Sequence, residues 1–310
     1  MSAVTLNPVA PHPQALRHQA RRLARLPHAS WLHQEVARRL AAKLEVIRLQ
    51  PQHWLDWSGF LGGGAELVQA TYPQAQRWVM EPTPELAKRS REAHQAQSPQ
   101  AWWTRWRREV DPVCLLDEVG QRPWPTDGVH MLWANMALHA HPDLLTLMSQ
   151  WHQALAVDGF LMCSGLGPDT ARELHSLYQA MNWPRPTINF IDMHDLGDAL
   201  VEAGFSDPVM DMERMTLTWG SAQEMLDELR TWGGNVAQGR FTGLRTPRWR
   251  QTLLDELDRA LRRPDGRLGL TVELIYGHAM KPAPRHKLAP ETRVTLDDMR
   301  TMIRHGTSKR

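Results

Sequence analysis

The stretch LDWSGFLGGGAELVQATYPQAQRWVME, residues 55–81, reads as the end of a strand, a glycine-rich turn, a helix and a second strand closing on an acid. The apolar run Trp54–Trp57 meets the turn cluster Ser58–Gly64, and helical character resumes over Ala65–Thr71. Tyr72 and Pro73 break that helix, and Gln76–Met80 forms the next strand, with Glu81 at its end. In a doubly wound sheet, a turn of this kind lets backbone approach a ligand at the carboxyl ends of the strands. An acid after the following strand then binds ribose hydroxyls. Asp56–Gly64 and Glu81 fill those two places. A glycine-rich turn alone equally describes an ordinary loop, so the acid at this spacing is what favours the ligand reading.

Working outward, Leu32, Val36, Leu40, Leu44 and Ile47 recur at helical spacing within Gln14–Leu49. Downstream, Pro84–Ala96 reads as a helix, followed by strands at Val113–Leu116 and Gly128–Trp133 and a helix at Leu144–Leu155. A turn at Asp158 and Gly159 precedes a strand at Phe160–Ser164, and Trp249–Arg262 and Leu270–Tyr276 supply a last helix and strand. The alternation predicts an α/β chain with a Rossmann-like, doubly wound, mostly parallel sheet. Residues 1–16, with Pro8, Pro11 and Pro13, and the polar, Pro-rich residues 282–310 are expected as flexible tails. Between them lies one domain, 17–281, in which residues 165–245 look more helical and irregular and are expected as a lid or substrate insert.

A chain of 310 residues, 42% of them hydrophobic, can bury a full core. A formal charge of +2 gives no global case for nucleic acid or a membrane surface. No apolar run approaches the roughly 18 residues of a membrane span, and no apolar stretch follows Arg17, Arg21, Arg22 and Arg25, so a soluble cytoplasmic protein is expected. Cys114 and Cys163 are too few for a disulfide framework. His139, His141 and His152 lack the carboxylate or cysteine partners that would complete a metal site, and no metal is expected. The run WWTRWRR, residues 102–108, suits base stacking, yet an amphipathic helix with its indoles turned inward accounts for it better, so nucleic acid is not expected as a partner.

Residues 55–81 resemble the first two motifs of class I S-adenosylmethionine (SAM)-dependent methyltransferases, a pattern of roughly LDxGxGxG, a helix, and a strand ending in an acid. The segments Gly128–Asn135 with MALHAHPDLLTLM, ALAVDGFLMCSGLGPDTARELH (154–175), FIDMHDLGDALVEAGFSDPVMDMERMTLTW (190–219) and ELIYGHAM (273–280) are similar to the biotin-pathway malonyl-acyl-carrier-protein O-methyltransferases. The likeness spans about residues 17–281. It implies SAM as cofactor, acyl carrier protein as partner, and methyl transfer to the free carboxylate of a malonyl thioester. It also implies a cofactor site of Asp56, Gly62 and Glu81, with Asp117 against the adenine and Asn135 facing the reacting centre. In a gap-free match Ser58 and Phe60 stand at the first two glycines, and Phe60 is expected to intrude on the methionine and ribose moieties. With a one-residue slip, Gly59 takes the first position instead. Two further family features are replaced, a tyrosine near Leu26 and a basic residue around His152 and Gln153. The alternative these departures suggest is a pseudo-methyltransferase that keeps the fold and a binding role.

Overall fold

A computed structural model of the chain describes residues 11–96, 112–115 and 124–284. Among these residues seven strands form one sheet: β1 (His53–Trp57), β2 (Gln76–Glu81), β3 (Val113–Leu115), β4 (Val129–Ala134), β5 (Leu155–Leu166), β6 (Ser206–Trp219) and β7 (Leu268–Met280). Their spatial order is β3-β2-β1-β4-β5-β7-β6. The first five pair in parallel, and β7 runs antiparallel to both β5 and β6. The order reverses between β1 and β4, which is the switch point where a doubly wound sheet opens a crevice at its strand carboxyl ends.

Period-two alternation sends each strand's side chains to two different cores. In β1, Leu55 and Trp57 join one apolar cluster and Trp54 the other; in β5, Leu161 and Cys163 part from Phe160 and Met162 in the same way. Helices α6 (Leu144–Ala154) and α8 (Met193–Glu202) cover the first face through Leu147, Trp151, Leu196 and Leu200. The second face is covered by α2 (Trp31–Ala42) and α4 (Ala65–Thr71), through Leu32, Val36, Leu40 and Val68. Helix starts follow local chemistry: Ser30 accepts from the His33 N–H at the head of α2, and Asp143 accepts from Leu145 at the head of α6.

Two segments differ from the sequence expectation. The irregular span 165–245 contains, besides α7 (Arg172–Ala180), α8 and α9 (Ala222–Trp232), the 14-residue strand β6. Its edge position, with one face exposed and with Met, Asp and Glu along its length, gives it weak strand propensity, so the alternation was masked. At the amino end, α1 (Pro13–Leu23) begins inside the expected tail. Proline suits the first turn of a helix, and the His12 N–H donates to Val236 O at 2.7 Å just before it. A helix α10 (Pro247–Leu261), capped by Thr246, leads into β7. Among the described residues no helix is long and apolar enough to cross a membrane.

Candidate active site

β1 ends at Trp57, and the chain turns at once. Ser58 adopts φ 58° and ψ 45°, a left-handed conformation that favours glycine, and its N–H donates to Met80 O at 2.7 Å. One helical turn follows, α3 (Gly59–Gly62). Both of its predicted glycines are required by close approach within the protein. A Cβ on Gly59 would lie 2.8 Å from Asp56 Oδ2, and one on Gly62 would lie 2.9 Å from the Asn135 carbonyl oxygen. The turn is thus wedged between the ends of β1 and β4.

Two buried acids lie beneath this turn. Asp56, fully buried, accepts two bonds from the Arg77 guanidinium at its Oδ2, at 2.6 and 3.1 Å. Glu81 Oε1 accepts the Phe60 N–H at 2.7 Å and the Ser90 hydroxyl at 2.5 Å. Its Oε2 is buried and has no hydrogen-bond partner among the described residues. Burial pushes the Glu81 carboxyl up to about 7, the charge of Asp56 adds to the shift, and the two donated bonds and Arg77 oppose it.

Asn135, at the end of β4, is a joint. Its Nδ2 donates to His33 O at 2.9 Å and Gly62 O at 2.6 Å, and its Oδ1 accepts the Ser164 hydroxyl at 2.6 Å. Ser164 Oγ in turn accepts the Met136 N–H at 2.9 Å. The amide therefore ties α2, α3, β4 and β5 together, and both of its N–H groups are engaged by protein.

A cavity of about 270 Å3 opens above these strand ends, running from Pro82 and Thr83 after β2, past Ser58 and Gly62, to Asn135 and Met136 after β4. Arg17 of α1 and Trp232 at the end of α9 also line it. The ring of Phe60 is not in its wall. α3 turns that side chain into a separate apolar cluster with Ala24 and Leu86, under the Arg89 guanidinium 5.0 Å from the ring centroid. Successive residues of a helical turn point about 100° apart, so residue 60 faces α1 and α5 (Pro84–Ala96), where it lines a second cavity of about 650 Å3 with Gly59, Gly63 and Ser90.

Sequence reasoning missed His33 and Ser164. His33 stands in the buried stripe of α2 with Val36, Ala37 and Leu40, and a histidine at such spacing carries no sign of the cavity beside it. Its Nδ1 lies 2.7 Å from Leu61 O, and His139 faces it with ring centroids 6.2 Å apart. Burial holds both imidazoles below their ordinary range, His139 at about 3. His152 lies elsewhere, against Phe205 near the amino end of β5. Among the described residues no group of three or more His, Cys, Asp or Glu could hold a metal. Asp117 and the run 102–108 lie outside the described residues.

No family model matches the chain. A malonyl-acyl-carrier-protein O-methyltransferase of Laribacter hongkongensis is 36% identical over 284 residues, covering 91% of this chain and 92% of that protein. One of Gallionella capsiferriformans is 36% identical over 255 residues, covering 82% and 85%. The chain belongs to the malonyl-acyl-carrier-protein O-methyltransferase family. The class I methyltransferase fold of that family accounts for the strand order, and solved structures share it. The YcgJ protein of Bacillus subtilis superposes with a TM-score of 0.53 at 10% identity, covering 79% of this chain and 98% of that one. The cyclase SpnF does so at 0.52 and 15% identity, covering 90% and 99%. A cyclase on this frame shows that the fold alone does not set the chemistry, so the family assignment rests on the methyltransferase relatives.

Proposed function

We propose that the protein is a SAM-dependent O-methyltransferase acting on the free carboxylate of a malonyl thioester on acyl carrier protein, the step the family resemblance places in biotin synthesis. The observation that carries this reading is the open cavity at the carboxyl ends of β1, β2 and β4, from which Phe60 is turned away, in a chain whose malonyl-acyl-carrier-protein O-methyltransferase relatives match it nearly end to end. The residues fit the cofactor. Glu81 keeps one buried carboxyl oxygen without a partner at the strand end where ribose hydroxyls bind. Gly59 and Gly62 keep the turn close to the strands, Asp56 is paired with Arg77 beneath it, and Asn135 secures the far wall. Asp117 is assigned to the adenine on the resemblance alone.

Bound SAM supplies an electrophilic methyl group on a sulfonium. The acceptor carboxylate is already ionised at neutral pH, so the protein needs no general base. Its task is to hold the oxygen in line and in contact, a purely positional contribution. Arg17, which is among the residues lining the cavity, supplies a guanidinium to fix that carboxylate. The segment 165–245 would close the acceptor side through Trp232. The Arg240–Arg250 stretch, where Arg245 stacks over Phe241 and Trp249, offers positive charge to an acidic carrier protein.

Calorimetry with SAM and transfer of labelled methyl to malonyl-acyl-carrier protein test the proposal. Saturable binding with transfer is expected. Absence of binding at millimolar SAM, or binding without transfer, would overturn it. Arg17→Ala should raise KM for the malonyl carrier at least about tenfold with SAM affinity unchanged.

A further inference from the structure

Two imidazoles face one another in the wall of the cavity, and neither takes part in the assignments above. The Asn135 amide beside them is turned to His33 O and Gly62 O. His33 is only 5% exposed. Its Nδ1 lies 2.7 Å from Leu61 O, and a carbonyl oxygen only accepts, so Nδ1 carries the ring proton. In a neutral ring that leaves Nε2 as a bare lone pair. This atom is buried and has no partner among the described residues, and the same is true of His139 Nδ1 on the ring opposite. A buried acceptor of this kind is costly unless something donates to it.

The position of the pair narrows what that donor is. The cavity runs from Pro82 and Thr83, beside Glu81, to His33, Asn135 and His139. A nucleoside cofactor whose ribose lies at the β2 end places its other end at the histidines. A free carboxylate there would meet the His33 Nε2 lone pair, whereas an ammonium would meet an acceptor. Charging one ring to suit an anion is opposed by burial and by the second imidazole 6.2 Å away.

We infer that His33, with His139 beside it, is the acceptor site for the ammonium group on the amino-acid tail of SAM. This rests on the cofactor reading above. It makes the tail's charge, and not only the nucleoside, a determinant of binding. A histidine that merely fills the core would affect every nucleoside ligand alike.

The test is calorimetry on the full chain with three probes: S-adenosylhomocysteine, 5′-methylthioadenosine, which lacks the amino-acid tail, and decarboxylated SAM, which keeps the amine. His33→Phe fills the space and removes the acceptor. It should weaken S-adenosylhomocysteine and decarboxylated SAM in parallel, by about tenfold or more, and leave methylthioadenosine within about twofold. Equal loss on all three probes, or no loss on any, overturns the assignment. So does a loss for S-adenosylhomocysteine alone, which would give the ring to the carboxylate. If the unaltered protein binds none of the probes, the cofactor reading falls and this one with it. Should His33→Phe fail to fold by circular dichroism, His139→Phe carries the same comparison with the same expected selectivity.

Discussion

The end of β1 and the end of β4 face each other across the cavity and mislead in opposite ways. At β1 the sequence looks damaged, with Ser58 and Phe60 at positions the family resemblance gives to glycine. Yet the backbone makes the required turn, and the Phe60 ring lies outside the cavity. At β4 the sequence looks intact, with Asn135 in place. Yet its amide is engaged by His33, Gly62 and Ser164 and has no N–H left for a ligand. A residue type at a motif position therefore does not say which of its atoms face the ligand; the local path of the chain decides that.

The sharpest way to break this contrast is Phe60→Gly. If the ring belongs to the α1–α5 packing, its removal should cost about 3–5 kcal/mol in denaturant unfolding and leave SAM affinity no better. Tighter SAM binding in that variant would restore the picture of an obstructed pocket. Next in size, Asn135→Leu leaves two carbonyls and a buried hydroxyl without their partner and should cost about 2–3 kcal/mol, measured by the same unfolding. A stable Asn135→Leu that has lost SAM would instead mark the amide as a ligand contact.

Glu81 gives a smaller, pH-dependent effect. In the fold its carboxyl stays protonated up to about pH 7, whereas the unfolded chain ionises it near 4.5, so folding retains a proton across that interval. The stability this contributes is fully present below pH 4.5 and is lost as pH rises to 7. The melting temperature of the natural protein should therefore fall, by roughly a few degrees relative to Glu81→Gln, between those pH values, with no further divergence above. A constant difference would show that the carboxyl is ionised throughout. Smallest is Ser58→Gly, which relieves a left-handed residue and should stabilise by about 1 kcal/mol in thermal or denaturant unfolding.

Much of the frame was legible. Pro84–Ala96 was read at its observed bounds, and β1 and β2 to within a residue, because apolar runs there meet Tyr72, Pro73 and the glycine cluster. β6 was not, since an edge strand need bury only one face and its polar, Met-rich pattern resembles a helix as much as a strand. Spacing put Gly62 in the turn after β1 and Glu81 at the end of β2, and the structure has both there. The direction of Phe60 was lost because spacing cannot show that four residues after β1 wind into a helical turn. His33 was lost because nothing in an apolar stripe separates a packed imidazole from one that borders a cavity.

The placement of β7 between β5 and β6 has a consequence for how the protein is made. Among the described residues β6 pairs only with β7, and β7 is the last of the strands, after α9 and α10. On a translating ribosome β6 must therefore wait as an unpaired strand until the segment from Leu268 emerges, while β5 keeps an open edge. Nascent chains halted before that point should be the ones that need a chaperone, and release of the last strand should be the event that closes the sheet.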